Sequence, residues 1–254
     1  MTKNDLKDFL DEKVVLYNNP KFLESDPLHI PHQFTTKEDV EIAGFLSATI
    51  AWGNRKSIIS NANKMMHLLG NSPYDFVMSH QETDLEKFDG FVHRTFNAED
   101  FKTFVICLKN IYKKHDGLEN AFKKSITNDD LQKGISNFKK LFFETIPNSR
   151  TMKHVSDPNK NSAAKRLNMF LRWMVRNDNA GVDLGIWKTI APALLSCPLD
   201  VHSGNVARKL GLVTRRQNDG KALFELDCAL RELDKNDPAK YDFALFGLGV
   251  FEGF

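Results

Sequence analysis

The sequence predicts an all-α protein, because its apolar residues recur at helical spacing and strand-like alternation is nearly absent. Apolar side chains return every third or fourth residue in segments such as Leu6–Val14 and Ile42–Ile50, which places them on one face of a helix. Glycine and proline clusters separate these segments, as at Gly70–Pro73. The breaks predict about ten or eleven helices.

Each predicted helix is defined by its own apolar stripe. In chain order the main stripes are Leu6–Val14, Ile42–Ile50, Phe101–Tyr112, Phe138–Phe142, Leu167–Met174 and Leu223–Leu233. Two connections, Pro147–Asn161 and Asn177–Leu199, are long for a compact helical protein. Loops of that length often carry function, so both are candidate parts of a site.

The composition is that of an ordinary globular protein. Of 254 residues, 41% are apolar and 27% are charged, a usual balance for a folded domain. No apolar run approaches the roughly 18 to 20 residues that a membrane span requires. The segment Met1–Asp8 begins an amphipathic helix and has no signal-peptide core. We therefore expect a cytoplasmic protein without a membrane segment, and a monomer.

The cysteines and histidines do not predict a metal site or another cofactor. Cys107, Cys197 and Cys228 are far apart and have apolar neighbours, which is typical of buried, reduced thiols. Three cysteines are too few for a four-cysteine cluster. His29 and His32 have a ligand-like spacing on a proline-bounded loop, but no cysteine is near them.

Positive charge is concentrated in two segments. Arg150–Arg176 has seven basic residues and one acid, a net charge of +6, whereas Gly204–Lys221 has five basic residues and one acid, a net charge of +4. Because the whole chain has a formal net charge of +2, the remainder is acidic. This segregation favours a surface for a polyanion, although a solvated helix face would have the same pattern.

The segment Cys197–Leu212 gives the most specific indication of chemistry. Asp200 precedes an amphipathic helix, where its carboxylate would cap the free N–H groups. The order of residues after Asp200, with His202, Val206, Arg208 and the run Leu-Gly-Leu, resembles the signature of the helix-hairpin-helix DNA glycosylases. That resemblance implies that Asp200 is the catalytic carboxylate.

The resemblance extends along the chain from about Thr36 to Gly249. Asp39–Ile58 resembles the helix–loop–helix that opens the six-helix barrel of these enzymes, and Lys240–Gly249 resembles their closing helix. It implies two helical lobes with a cleft between them: a six-helix barrel at residues 33–178, and a second lobe at residues 1–32 and 179–254. The whole also resembles an uncharacterised bacterial family at the edge of the superfamily.

The hairpin departs from the usual pattern. The Leu-Pro-Gly-x-Gly turn is missing, and Asp157–Arg176 stands in its place. The separation between Lys165 and Asp200 is similar to that in the archaeal 8-oxoguanine glycosylases, which implies that Lys165 is a catalytic nucleophile. Such a lysine would form a Schiff base with C1′ and allow strand cleavage. The other interpretation of Lys165 is an ordinary phosphate contact, with water as the nucleophile.

The resemblance implies excision of a damaged base, such as an oxidised purine, from double-stranded DNA. Two other functions stay open: a non-catalytic DNA- or RNA-binding protein, and a protein that binds an acidic protein partner. The expected DNA contacts are Arg55, Lys56, Lys160, Arg166, Arg172, Arg176, Arg208 and Lys209.

A base pocket needs an aromatic ring for the extruded base. The candidates are Trp52, Trp173, Trp187 and Phe251, each also compatible with a place in the core. Thr49–Arg55 aligns with the segment whose side chain fills the vacated duplex position in related enzymes, often a glutamine; here Thr49 departs from the pattern. His93 or Arg94 would lie beside the cleft or cap the following helix.

Overall fold

The computed structural model describes residues 2–254 and consists mainly of helices, which confirms the predicted all-α class. The α-helices are α1 Lys3–Tyr17, α2 Lys37–Thr49, α3 Arg55–Leu68, α4 Pro73–Ser79, α5 Ala98–Lys114, α6 Gly117–Ser125, α7 Leu131–Phe142, α8 Lys165–Val175, α9 Val201–Lys209, α10 Gly220–Leu233 and α11 Tyr241–Phe251. Short 3-10 helices lie between them, including Glu82–Phe88 and Arg150–His154. None of the helices in residues 2–254 is both long and apolar enough to cross a membrane.

The chain divides into two compact units. The first unit comprises Met1–Phe22, Asp129–Gln132 and Asp157–Phe254, and the second comprises Leu23–Asn128 and Lys133–Ser156. We expected α8 in the barrel lobe, at residues 33–178, but it belongs to the first unit. Arg172 of α8 and Arg176, which directly follows α8, form ion pairs with carboxylates of that unit between residues 178 and 242.

The first unit is built around leucines from α10 and α11, with further apolar residues from α1, α9 and the preceding loop. The helices α1 and α11 pack closely, because Gly247 leaves room for the Tyr17 ring. A Cβ atom at Gly247 would lie 2.1 Å from that ring. The N-terminal helix is therefore part of this unit.

In α8 the apolar stripe of Leu167, Phe170, Leu171 and Met174 is buried, as predicted. Asn168, Arg172 and Arg176 are buried as well, so most of α8 lies inside the first unit and its polar groups bind other protein groups.

The second unit contains α2 to α6 and most of α7. Its core is rich in phenylalanine: the Phe45 ring contacts the rings of Phe104, Phe138 and Phe142 at centroid distances of 5.2–5.9 Å. A short hairpin of β1 (Val92–His93) and β2 (Phe96–Asn97) precedes α5, where the sequence predicted no strands. Arg94 in its turn has a φ of +54°, and Asn97 caps α5.

Candidate active site

Lys165 and Asp200 lie together in the first unit. Lys165 Nζ is 3.8 Å from Asp200 Oδ2, and the two side chains are 30% and 25% exposed. Lys165 begins α8 and Asp200 precedes α9. Two residues that are far apart in sequence thus form one partly solvent-accessible pair.

The backbone of α9 fixes the orientation of the Asp200 carboxylate. Its Oδ1 accepts the N–H groups of His202 and Ser203, at 2.9 and 3.0 Å. In return Ser203 Oγ accepts the Asp200 N–H at 2.9 Å. Asp200 is therefore the N-cap of α9, as its position predicted, and its second oxygen is directed toward Lys165. The helix dipole favours a negative charge at this position.

Asn218 holds the Asp200 backbone from the other side. Its Nδ2 donates to the Asp200 carbonyl oxygen at 2.8 Å, and its Oδ1 accepts from Arg208. Gly204 makes room for this contact, since a Cβ there would lie 2.5 Å from Asn218 Oδ1. We did not identify Asn218 from the sequence, because a single uncharged residue within a basic segment gives no signal.

Non-glycine residues build the turn before α8. Asn161 and Ala164 have φ values of +62° and +43°, in the left-handed region that glycine would adopt more easily. The Ala164 N–H donates to Ser162 Oγ at 3.1 Å. The Asn161 carbonyl oxygen accepts the Gly220 N–H at 2.9 Å. The turn is thereby bound to the start of α10.

Asp242 is a second carboxylate near this pair that we did not predict. It is buried and forms an ion pair with Arg172, and its Oδ1 lies 4.0 Å from Cys197 Sγ. Burial raises the pKa of Asp242 to about 6; the charge of Asp200 also raises it, whereas Arg172 and Lys165 oppose the rise. The available signal was a lone acid at the start of the apolar helix α11.

Arg172 and Arg176, which we predicted as DNA contacts, are buried with 2% exposure each. Arg172 Nε lies 3.1 Å from Asp183 Oδ1. Arg176 pairs with three carboxylates, those of Asp178, Asp183 and Asp237, at 2.6–2.9 Å. Their guanidinium groups already bind internal anions and do not reach the surface, so that prediction was wrong for both residues.

The other predicted DNA contacts differ in exposure. In the first unit Lys160 and Lys209 are exposed, whereas Arg166 and Arg208 are half-buried. Arg208 also donates to the Arg215 carbonyl oxygen at 2.7 Å. In the second unit Lys56 is exposed and Arg55 is half-buried.

The two basic segments meet within the first unit. The hydrogen bond from the Gly220 N–H to the Asn161 carbonyl oxygen joins them. Asn161 directly follows Lys160, Gly220 directly precedes Lys221, and both lysines are exposed. Asn161 Nδ2 also donates to Asp219 Oδ2 at 3.0 Å. Residues Arg150 and Lys153 of the first segment belong to the second unit.

Two of the three tryptophans predicted for a base pocket are core residues. Trp173 and Trp187 are 0% and 1% exposed, and the Trp187 ring packs edge-on against Phe170. Neither can stack on a base from solvent, so both assignments were wrong. Phe251 of α11 is 56% exposed.

Trp52 is half-buried in the second unit and lies among histidines. Its ring stacks on His154 and meets His93 edge-on, at centroid distances of 5.9 and 5.1 Å. His93 Nε2 lies 3.1 Å from the Trp52 carbonyl oxygen. His93 thus supports the loop between α2 and α3. Thr49, the last residue of α2, is buried.

Asp100 organises the segment that carries His154. It is fully buried and accepts hydrogen bonds from Arg150 Nη2 at 3.0 Å and Thr151 Oγ1 at 2.8 Å. His154 Nε2 lies 3.1 Å from Asp100 Oδ2. Arg150, part of the first basic segment, therefore has an internal carboxylate partner.

The cysteines differ in exposure. Cys107 and Cys197 are buried as predicted, and burial raises the pKa of both thiols. Cys228 is exposed on α10, so the expectation that it is buried was wrong. Within residues 2–254, no three His, Cys, Asp or Glu side chains are grouped to hold a metal ion.

Comparison with known proteins gives a family. No curated protein and no solved structure matches the chain. The DUF2400 model, described as "Protein of unknown function (DUF2400)", matches residues 26–251, and the chain belongs to that family.

Proposed function

We propose that the protein excises a damaged base from double-stranded DNA, with Asp200 as the catalytic carboxylate. The observation that carries this proposal is the Lys165–Asp200 pair, whose Nζ and Oδ2 atoms lie 3.8 Å apart in partly exposed side chains. When the bond between C1′ and the base breaks, positive charge develops on the sugar. A fixed carboxylate stabilises that charge and lowers the barrier.

The setting of Asp200 fits this role. Its Oδ1 is held by two backbone N–H groups, and the carbonyl oxygen of the same residue is held by Asn218. Both attachments restrict the movement of the carboxylate without occupying Oδ2. A catalytic group that is oriented beforehand needs little rearrangement as the transition state forms.

Two routes for base release use Lys165 differently. In the first, the neutral Lys165 amine attacks C1′: the C1′–Nζ bond forms, and the base departs with the electron pair of its bond to C1′. The new ammonium group loses a proton to solvent. The C1′–O4′ bond of the sugar then breaks as O4′ takes up a proton, and the resulting Schiff base permits β-elimination. In the second, water attacks C1′ while Asp200 stabilises the charge, and Lys165 contacts a phosphate. Only the first route nicks the strand.

Exposed cations of the first unit would bind the DNA backbone. Lys160, Lys209 and Lys221 are exposed, and Lys160 and Lys221 flank the contact that joins the two basic segments. Arg172 and Arg176 are excluded from this set because they are buried. Trp52 and Phe251 are the remaining aromatic candidates for contact with an extruded base, since Trp173 and Trp187 lie in the core.

The test is a screen of DNA duplexes that each contain one type of damaged base, with oxidised purines first. Base release and strand nicking are measured separately, with Asp200→Asn as the control. Release that disappears in the control supports the proposal. Tight binding of every duplex without base release would instead favour a non-catalytic DNA- or RNA-binding protein, and absence of DNA binding would favour an acidic protein partner.

A further inference from the structure

We infer that Asp242 is a positioning residue of the Lys165–Asp200 site: a second carboxylate that acts on the pair through its charge, without touching the substrate. This inference rests on the proposed function, because it concerns how the same site stabilises a cationic reaction centre. No motif pointed to Asp242, and it lies in α11, far along the chain from Lys165.

The position of Asp242 links the two segments that carry the pair. Arg172, its ion-pair partner, lies on α8 two turns after Lys165. Cys197, whose sulfur is 4.0 Å from Asp242 Oδ1, precedes Asp200 by three residues. The helix α11 also packs on the start of α9, where a Cβ at Gly249 would lie 3.1 Å from His202 Cβ. Asp242 therefore contacts Arg172 of α8 and lies near Cys197, in the segment that leads to Asp200.

Asp242 has charged neighbours of both signs. Lys165 and Arg172 of α8 are the cations that act on it. The anions are Asp183 in the loop before α9 and Asp200 at the start of α9, and Cys197 is the remaining titratable neighbour. Arg176 pairs with Asp183, so each of the three carboxylates has a cationic neighbour. The ionised Asp242 adds a negative charge beside the pair, which favours a positive charge on the Lys165 ammonium or on C1′.

The Asp242 and Asp200 carboxylates differ in exposure, and this difference gives them different roles. The Asp242 side chain is 11% exposed, and its Oδ2 is bound to Arg172, whereas the Asp200 side chain is 25% exposed. Asp200 is thus the carboxylate that substrate can reach. Because burial raises the pKa of Asp242 to about 6, its charge is present above that pH and is lost below it.

Asp227 offers a matched control for this role. It is a buried carboxylate of the same unit, and burial raises its pKa to about 6 as well. Its partners are Ser196, the Cys197 N–H and Arg231. Asp227→Asn therefore removes a similar buried charge, but not the one that bears on Lys165 and Asp200.

The first experiment measures the reactivity of the Lys165 amine, by reductive methylation with formaldehyde and borohydride at pH 7 and peptide mass spectrometry. Losing the Asp242 charge destabilises the ammonium form, so Asp242→Asn should label roughly threefold to tenfold faster at Lys165. Asp227→Asn should label at the wild-type rate. Equal rates in Asp242→Asn and wild type would overturn the inference, whether or not the protein excises bases.

The second experiment measures base release against pH. Wild-type and Asp227→Asn proteins should lose activity as pH falls through about 6, where Asp242 takes up a proton, and Asp242→Asn should lack that step. An identical acid limb in all three proteins would contradict the inference. If Asp242→Asn does not fold, the same question can be tested on the wild-type protein, with the exposed Lys235 as the reference. The inference predicts that labelling of Lys165 relative to Lys235 rises below about pH 6. A constant ratio would contradict it.

Discussion

Arg176 and Asp183 form a buried ion pair, with Arg176 Nη1 2.6 Å from Asp183 Oδ2. Asp183 lies on the loop between α8 and α9, and Arg176 directly follows α8. Burial raises the pKa of Asp183, while Arg172 and Arg176 oppose that rise. Removing one member of such a pair leaves an uncompensated charge inside the protein, which is strongly destabilising.

We therefore expect Arg176→Met to lower the free energy of unfolding by about 3–5 kcal/mol, measured by urea denaturation. The methionine keeps much of the aliphatic volume but cannot form ion pairs with the carboxylates of Asp178, Asp183 and Asp237. Lys160→Met, at an exposed lysine of the same unit, should change stability by less than about 0.5 kcal/mol. Similar losses in both variants would show that the buried pair is not what stabilises this region.

Asp200→Asn should separate turnover from stability. The amide oxygen can still accept the N–H groups of His202 and Ser203, so the free energy of unfolding should fall by no more than about 1 kcal/mol. Base release should fall by orders of magnitude because the negative charge is gone, while binding of damaged DNA persists. A large loss of stability with unchanged turnover per folded molecule would assign Asp200 to helix capping alone.

Lys165→Gln distinguishes the two routes for base release. Borohydride reduces a Schiff base to a stable covalent link between protein and DNA, and an amide cannot form that intermediate. If Lys165 is the nucleophile, trapping should be abolished in the variant and present in the wild type. If Lys165 only contacts phosphate, the wild type should not be trapped, and the variant should bind DNA modestly less tightly with base release per bound complex retained.

Lys160→Gln tests the basic surface of the first unit. Removing one phosphate contact should reduce the slope of log affinity against log salt concentration by about one unit. Lys235→Gln is the matched control, because Lys235 is an exposed lysine of the same unit outside both basic segments. Equal slopes for wild type and Lys160→Gln would remove Lys160 from the proposed DNA-binding surface.

Asp227 predicts a pH dependence of stability. Burial raises its pKa to about 6 in the folded protein, above its value of about 4 in an unfolded chain. The folded state keeps the proton longer, so this residue makes stability fall as pH rises from about 4 to 6. In Asp227→Asn that fall should shrink by about 1–3 kcal/mol, measured by urea denaturation at several pH values. An unchanged fall would show that other groups cause it.

The Lys165–Asp200 pair could be predicted from the sequence. An acid before an amphipathic helix predicts a cap, and the motif around Asp200 directed attention to a lysine at the start of the preceding helix. The apolar stripe of α8 was predictable for a similar reason, since it depends on neighbours within the same helix. Local spacing predicted the cap and the stripe, whereas the resemblance to the glycosylases implied the pairing of Lys165 with Asp200.

The roles of Arg172 and Arg176 were not predictable from local spacing. A count of charges along a segment treats every cation as exposed to solvent. In the folded protein, Arg172 pairs with Asp242, 70 residues later, and Arg176 pairs with Asp237, 61 residues later. Only the folded chain brings those acids to α8. The same long-range packing moved the unit boundary ahead of α8 and placed Trp173 and Trp187 in the core.

The two oxygens of Asp200 have different partners: the amides of α9 bind Oδ1, and Lys165 lies nearest to Oδ2. Rotation of the carboxylate by half a turn would exchange the two oxygens, but only by breaking both hydrogen bonds from the backbone N–H groups of α9 at once. Oδ2 is therefore a stereochemically distinct atom on the timescale of those bonds, and it presents one fixed face of the carboxylate to an approaching molecule. A cation that forms beside it meets a dipole already aligned, so the helix cap itself supplies the directionality of the site.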